Sequence, residues 1–464
     1  MAAAESLATG LKPRHITMLS IAGIIGAGLF VGSGRVVASA GPGAILAYAL
    51  AGTLVVLIMR MLGEMAVASP DTGSFSTYAD RAIGRWAGFT IGWLYWWFWV
   101  LVIPLEANVA GAILNAWMPA VPMWGWALAV TVALTLTNLF SVRNYGEFEF
   151  WFALIKVVAI VLFLGVGVAA ILGVLPGSPI SGVSRLTADG GFLPNGITTV
   201  LIAMLGTMFS FMGTEIVTIA ASESERPAEQ IVQATNSVIW RICLFYLGTI
   251  FVVTSLVSWR DPQLPVVGAY QRTLEVIGIG GAKTVMDLVI LTAVASCLNS
   301  AIYTASRMLW SLAERGDAPP SWRRTTAAGT PRAAVLWSVL VGVLATVANY
   351  VVPDRVFAFL MNTSGAIALL VYFVIAWSQY RTRRALDASG ARPLLRMWGF
   401  PWITLGAMAF IVVVLGVMLV HPAHRMEVVA TALVACGVIG IARTRHGAPT
   451  TAPPSAAPPP VASR

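Results

Sequence analysis

Ile21-Ala22-Gly23-Ile24-Ile25-Gly26-Ala27-Gly28-Leu29-Phe30 places three glycines within six residues, in the middle of an apolar run. Glycine weakens a helix and lets backbone approach closely. Small residues three or four apart also form helix contacts within membranes, so this stretch alone supports either packing or a broken helix. A second stretch tips the balance. Phe209-Ser210-Phe211-Met212-Gly213-Thr214-Glu215 sets a glycine beside an ionisable residue inside another apolar run. A charge there costs at least a few kcal/mol and tends to face a cavity or a pathway. Its bland alternative is a carboxyl paired to a neighbouring helix for structure.

The surrounding chain fixes the class. Of its 464 residues, 58% are hydrophobic and 11% charged, against roughly a quarter charged in soluble domains. Many apolar runs reach the roughly 20 residues that cross a bilayer. The reading is an all-α membrane protein with twelve spans, near 17–38, 43–68, 86–116, 122–140, 149–174, 195–220, 236–258, 284–312, 333–352, 356–380, 399–420 and 425–442. Residues 1–14 form a polar N-terminal tail, 15–443 a single transporter domain, and 444–464 a Pro- and Ala-rich disordered tail.

The net charge of +9 is a topology signal rather than a nucleic-acid footprint, because the arginines sit in short loops. Arg81, Arg85, Arg143, Arg226, Arg315, Arg323, Arg324, Arg332, Arg381, Arg383, Arg384, Arg392, Arg396, Arg443 and Arg445 fall on one side together with Lys12 and Arg14. Only Arg185, Arg260, Arg272, Lys283, Arg355 and Arg425 fall on the other. The bias assigns both termini to the cytoplasm and the protein to the cytoplasmic membrane. Cys243, Cys297 and Cys436 lie in apolar runs and read as reduced, packed thiols. The outer loop 259–283 is expected to be partly helical.

The breaks fall in spans 1 and 6, five helices apart. That spacing matches two inverted repeats of five helices with two helices appended, and places a substrate site at mid-membrane between the discontinuous helices. N–H groups at the start of the second half-helix, near Ala27 and Gly28, suit a carboxylate. Lys156 lies about 12 Å into span 5; it either snorkels to the interface or serves as a buried ammonium that exchanges a proton. Glu106, after Pro104 in span 3, either meets a substrate ammonium, carries a proton or holds a structural partner. In Trp93-Leu94-Tyr95-Trp96-Trp97-Phe98-Trp99 packing is the commoner meaning, although one or two rings suit a substrate path. Asn299, with Ser300 and Thr304, faces a cavity or bonds between helices. Arg60 and Glu64 read as a structural i,i+4 pair, and Asp287 as interfacial. No nucleotide loop, metal-ligand cluster or nucleophile elbow is visible, so an enzyme, a cofactor and a metal site are not expected.

These residues resemble the amino acid–polyamine–organocation superfamily, and within it the bacterial amino acid permeases. The likeness spans about Leu11 to Arg443. It rests on Gly23–Phe30, on Glu64 with Pro70-Asp71-Thr72-Gly73-Ser74-Phe75-Ser76-Thr77-Tyr78-Ala79, on Asn144-Tyr145-Gly146-Glu147-Phe148-Glu149-Phe150-Trp151 and on Phe211–Glu215. Tyr95–Asn108, Thr235–Arg241 and Leu298–Arg307 point to the branch that carries 4-aminobutyrate (GABA). The resemblance implies the LeuT-type 5+5 inverted-repeat fold and proton-driven uptake of GABA or a similar amino acid. It implies that Ile24, Gly26, Ala27 and Gly28 receive the substrate carboxylate, and that Phe211, Met212, Gly213 and Glu215 flank the substrate. Glu106 and Asn299 join that set, and Lys156, Glu215 and Glu106 are the proton-coupling candidates. Where relatives often carry Ser this chain has Ala27, so backbone alone must serve there. Other amino acids (proline, asparagine, aromatic) and exchange are the alternatives. Expected partners are a small amino acid, protons and lipid, in a monomer or weak oligomer, with no nucleic acid.

Overall fold

A computed structural model describes residues 18, 25–69, 74–140, 142–216, 218, 227–326, 329–351, 353–422 and 424–446. Ile24 and both predicted tails, apart from 444–446, lie outside these. Every element among the described residues is helical. Eight segments are long and apolar enough to cross a bilayer: Gly28–Ala68, Arg85–Trp117, Glu149–Ile171, Pro227–Leu256, Ala282–Glu314, Phe359–Ser389, Trp402–Val420 and Arg425–Arg445. Three shorter apolar helices, Met123–Leu139, Gly196–Phe211 and Arg332–Val347, accompany them.

The first long segment is divided by Gly41-Pro42-Gly43, where Gly41 takes φ +63°. A side chain is disfavoured at such a backbone angle, so glycine makes the turn. The turn separates α1 (Ser33–Ala40, entered through a π-helical turn at Gly28–Gly32) from α2 (Ala44–Ala68). There follow α3 (Arg85–Trp117), α4 (Met123–Phe140), α5 (Val142–Ile171) and α6 (Gly196–Phe211). Then come α7 (Pro227–Leu256), α8 (Ala282–Glu314), α9 (Arg332–Val351), α10 (Pro353–Ser389), α11 (Trp402–Val420) and α12 (Arg425–His446). The loop after α7 carries the short helices Leu264–Val267 and Ala269–Val276.

α3 and α8 form the most extensive helix pair and make the spine of the bundle. α3 buries apolar residues all round, from Ala87 to Gly111, as a helix enclosed by other helices should. α5 and α11 instead expose Leu162, Val161, Val412 and Val413 on their outer faces, as lipid-facing helices should.

Arg60 and Glu64 do not pair with each other. The Glu64 carboxylate accepts hydrogen bonds from Arg383 and Gln379 of α10 and from the Met397 N–H. Arg60 turns outward, donating to the Arg396 carbonyl at 2.8 Å and lying over the Trp398 ring. The i,i+4 spacing allowed a local pair, but a buried carboxylate needs several donors, and only α10 and the loop after it supply them. Asp287 does sit near a helix end, paired with Lys283 at 3.0 Å.

Candidate functional site

The second break is explicit in the backbone. α6 ends at Phe211, Met212 is extended (ψ 141°), and Gly213 adopts φ +100°. Helix resumes only at Ile216. The freed Gly213 N–H donates to both oxygens of Glu215, at 3.0 and 3.1 Å. A helix end leaves orphan polar groups that must find partners in a dry interior. Here the acidic side chain two residues on supplies one, so the break caps itself.

The first break is capped from elsewhere. The helix begins at Ala27, and the Ala27 N–H donates to the two oxygens of Glu106 at 3.2 and 3.1 Å. Glu106 belongs to α3 and is buried. The carboxylate thus sits on the backbone N–H expected, from the sequence, to receive a substrate carboxylate.

The glycines let these pieces close up. A Cβ on Gly26 would lie 2.7 Å from Glu106 Oε1 and 2.8 Å from Cys297 Cβ. A Cβ on Gly28 would lie 2.8 Å from Ser210 Oγ and 2.9 Å from Ser210 Cα. Gly26 is therefore the space in which Glu106 reaches the backbone, and Gly28 is the point where the two broken segments touch.

Between them lies a cavity of about 10 Å³, lined by Gly28, Phe98, Trp99, Glu106, Ser210 and Met212, among others. That is room for about one water molecule. A second cavity, of about 500 Å³, is lined by Arg35, Asn108, Gln271, Lys283 and Asp287 among others. It lies at the end of the bundle that carries few arginines, and Asn108 on its wall is half a turn of α3 from Glu106. The larger space is roomy and the centre between the two breaks is nearly filled.

The expected site residues separate into groups. Gly26, Ala27, Gly28, Glu106 and Met212 converge at or beside the central cavity. From the aromatic run, Phe98 and Trp99 contribute rings there. Phe211 instead packs on Tyr246 and Tyr48, with ring centroids 4.5 and 5.9 Å away. Glu215 caps Gly213 and does not line the cavity; it lies within electrostatic reach of Tyr95 and Arg241. Asn299 accepts from Asn138 at 2.6 Å and Thr137 at 3.2 Å, tying α8 to α4.

Lys156 does not snorkel. It is fully buried, donates to Ser296 Oγ at 2.8 Å, and lies 3.8 Å from Glu149 Oε1. Ser296 in turn donates to Glu149 Oε1 at 2.6 Å. Glu149, Ser296 and Cys297 belong to this neighbourhood although the sequence did not mark them as site residues. Glu149 had a signal: it precedes Lys156 by seven residues, which puts both on one face of α5. Among the described residues no cluster suited to a metal ion is present.

The amino acid permease family matches residues 15–442. The chain belongs to that family. This permease is 66% identical to the probable GABA permease of Pseudomonas aeruginosa, over 92% of this chain and 90% of that one. It is 60% identical to the gamma-aminobutyric acid permease of Escherichia coli, over 94% and 93%. An aromatic amino acid transport protein of Corynebacterium glutamicum is 41% identical, over 93% of each chain. Among solved structures, that of a mutant manganese transporter from Eremococcus coleocola superposes with a TM-score of 0.57 and 11% identity, covering 94% of this chain and 96% of that one. At that identity the likeness concerns the fold alone. The permease is thus a multi-pass membrane transporter and not an enzyme, with the LeuT-type architecture in which the first and sixth helices are broken.

Proposed function

We propose that this permease is a proton-coupled importer of GABA, or of a closely similar zwitterion, in the cytoplasmic membrane with both termini inside. The observation that carries the coupling is the seat of Glu106 on the Ala27 N–H. A substrate carboxylate seeking that N–H meets a carboxylate already there. Two like charges in a dry site exclude one another unless one takes a proton. Protonation of Glu106 releases the backbone group to the substrate, and the uncharged acid is then free to turn aside. Backbone near Ala27 and Gly28 holds the acid end of the substrate, while Phe98, Trp99 and Met212 surround its chain. The preference for GABA is supported by the relatives at 66% and 60% identity.

The cycle begins in the state with a vestibule of about 500 Å³ and a nearly filled centre. Substrate enters by the vestibule, the two half-helices part at the Gly28–Ser210 contact, and closure above commits the substrate to the other side. Purified permease in proteoliposomes should accumulate labelled GABA when an inward proton gradient is imposed. Equal uptake after the gradient is collapsed would sink the coupling, and a panel of unlabelled amino acids tests the substrate. Effective competition by proline or tryptophan, but not by GABA, would move the assignment elsewhere in the family.

A further inference from the structure

Lys156, Ser296 and Glu149 form a continuous donor chain inside the bundle. The Lys156 ammonium donates to Ser296 Oγ at 2.8 Å, and that hydroxyl donates to Glu149 Oε1 at 2.6 Å. Lys156, Ser296 and Glu149 are each fully buried. The chain has a direction. Glu149 lies seven residues nearer the start of α5 than Lys156, about 10 Å along the helix axis. That start is the end the arginine bias assigns to the cytoplasm.

The Lys156 nitrogen and the Glu149 carboxylate form an ion pair at 3.8 Å, and the Ser296 hydroxyl bridges them from the side through two shorter bonds. A hydroxyl can accept one proton while giving up its own. Two short bonds in series, donor to hydroxyl to acceptor, are the arrangement in which that exchange moves a proton without moving a heavy atom far.

We infer that Glu149 is the proton exit of this transporter, taking the proton from Lys156 through the Ser296 hydroxyl and passing it toward the cytoplasm. The inference rests on the proton-coupled reading above. The step balances. The Lys156 ammonium gives a proton to Ser296 Oγ, the hydroxyl's own hydrogen passes to Glu149 Oε1, and the products are a neutral amine, the same alcohol and a neutral carboxylic acid. No net charge is created in the dry interior, because an ion pair becomes two neutral groups. Glu149 then releases its proton at the inner end of α5 and the pair is restored by the next proton to reach Lys156. The other groups bearing on the chain are Glu106 on α3, and Cys297 and Ser300 on α8. Glu106 faces the cavity, so it stands at the entry and Glu149 at the exit.

The test separates proton transfer from folding. Proteoliposomes loaded with a pH-sensitive dye report substrate-driven proton entry, and counterflow of labelled GABA reports substrate movement without net proton flow. With Glu149→Gln and Ser296→Ala, GABA-driven proton entry and gradient-driven accumulation should each fall tenfold or more, while counterflow falls less than threefold. Glu149→Asp should recover part of the proton signal. Ser296→Ala changes only one small atom, so it reads the relay even if Glu149→Gln fails to insert. Accumulation at the level of the unsubstituted protein in either variant overturns the exit role. So does an equal loss of counterflow and accumulation in a variant that inserts normally, since that marks a structural pair. If the unsubstituted permease itself moves no protons with GABA, the coupled reading fails first, which is a distinct result.

Discussion

The two helix breaks look alike in sequence and are held in opposite ways. At the sixth helix, Gly213 and Glu215 belong to one turn, and the break carries its own cap. At the first, the cap is Glu106, 79 residues away on α3. A cap within a turn moves with that turn and leaves its geometry alone. A cap from another helix couples the N–H to the position of that helix and to its own protonation. In the proposed cycle the first break is the one a substrate and a proton address, and the second is the fixed wall against which it opens.

The comparison breaks most readily at the contact between the two. Gly28→Val should cut uptake at least a hundredfold while the protein still reaches the membrane, because its Cβ already meets Ser210 backbone at 2.9 Å. Full transport by that variant would return the glycine to a packing role. Next comes the long-range cap. Glu106→Gln keeps an oxygen for the Ala27 N–H and removes the titratable group, so uptake should fall tenfold or more and the remainder should lose its dependence on pH. Retained proton dependence would remove Glu106 from the coupling.

The self-capped break should respond mainly in stability. Gly213→Ala places a side chain at φ +100°, a strain of about 1 kcal/mol or more. It should lower the melting temperature of detergent-solubilised protein more than it lowers uptake per folded molecule. A uptake loss exceeding that of Glu106→Gln would reverse the assignment of fixed and mobile breaks. The smallest effect is expected at Tyr246→Phe, which removes the hydroxyl that donates to the Ser210 carbonyl at 2.9 Å in the last turn of α6. One hydrogen bond of about 1 kcal/mol should be lost, with uptake reduced threefold or less.

The membrane class, the approximate helices and the two breaks were legible in the sequence, because each rests on local chemistry. Apolar runs of bilayer length cannot stay dispersed in water. The glycine at 213 marked the second break, but that Glu215 caps it came from the structure, since Gly63 beside Glu64 leaves its helix unbroken. The partners of buried charges were not legible. Glu64 had a basic residue four positions away and took Arg383 instead; Asn299 had a cavity available and turned to Asn138. Depth alone left Lys156 evenly divided between interface and interior; the structure buries it against Ser296 of α8. A charge in a dry interior is settled by all the donors around it, and these come from helices far apart in the chain. Sequence alone determined that the first helix breaks near Ala27. Only the tertiary structure decided that Glu106 holds the broken end, because that bond depends on how α3 packs across α1.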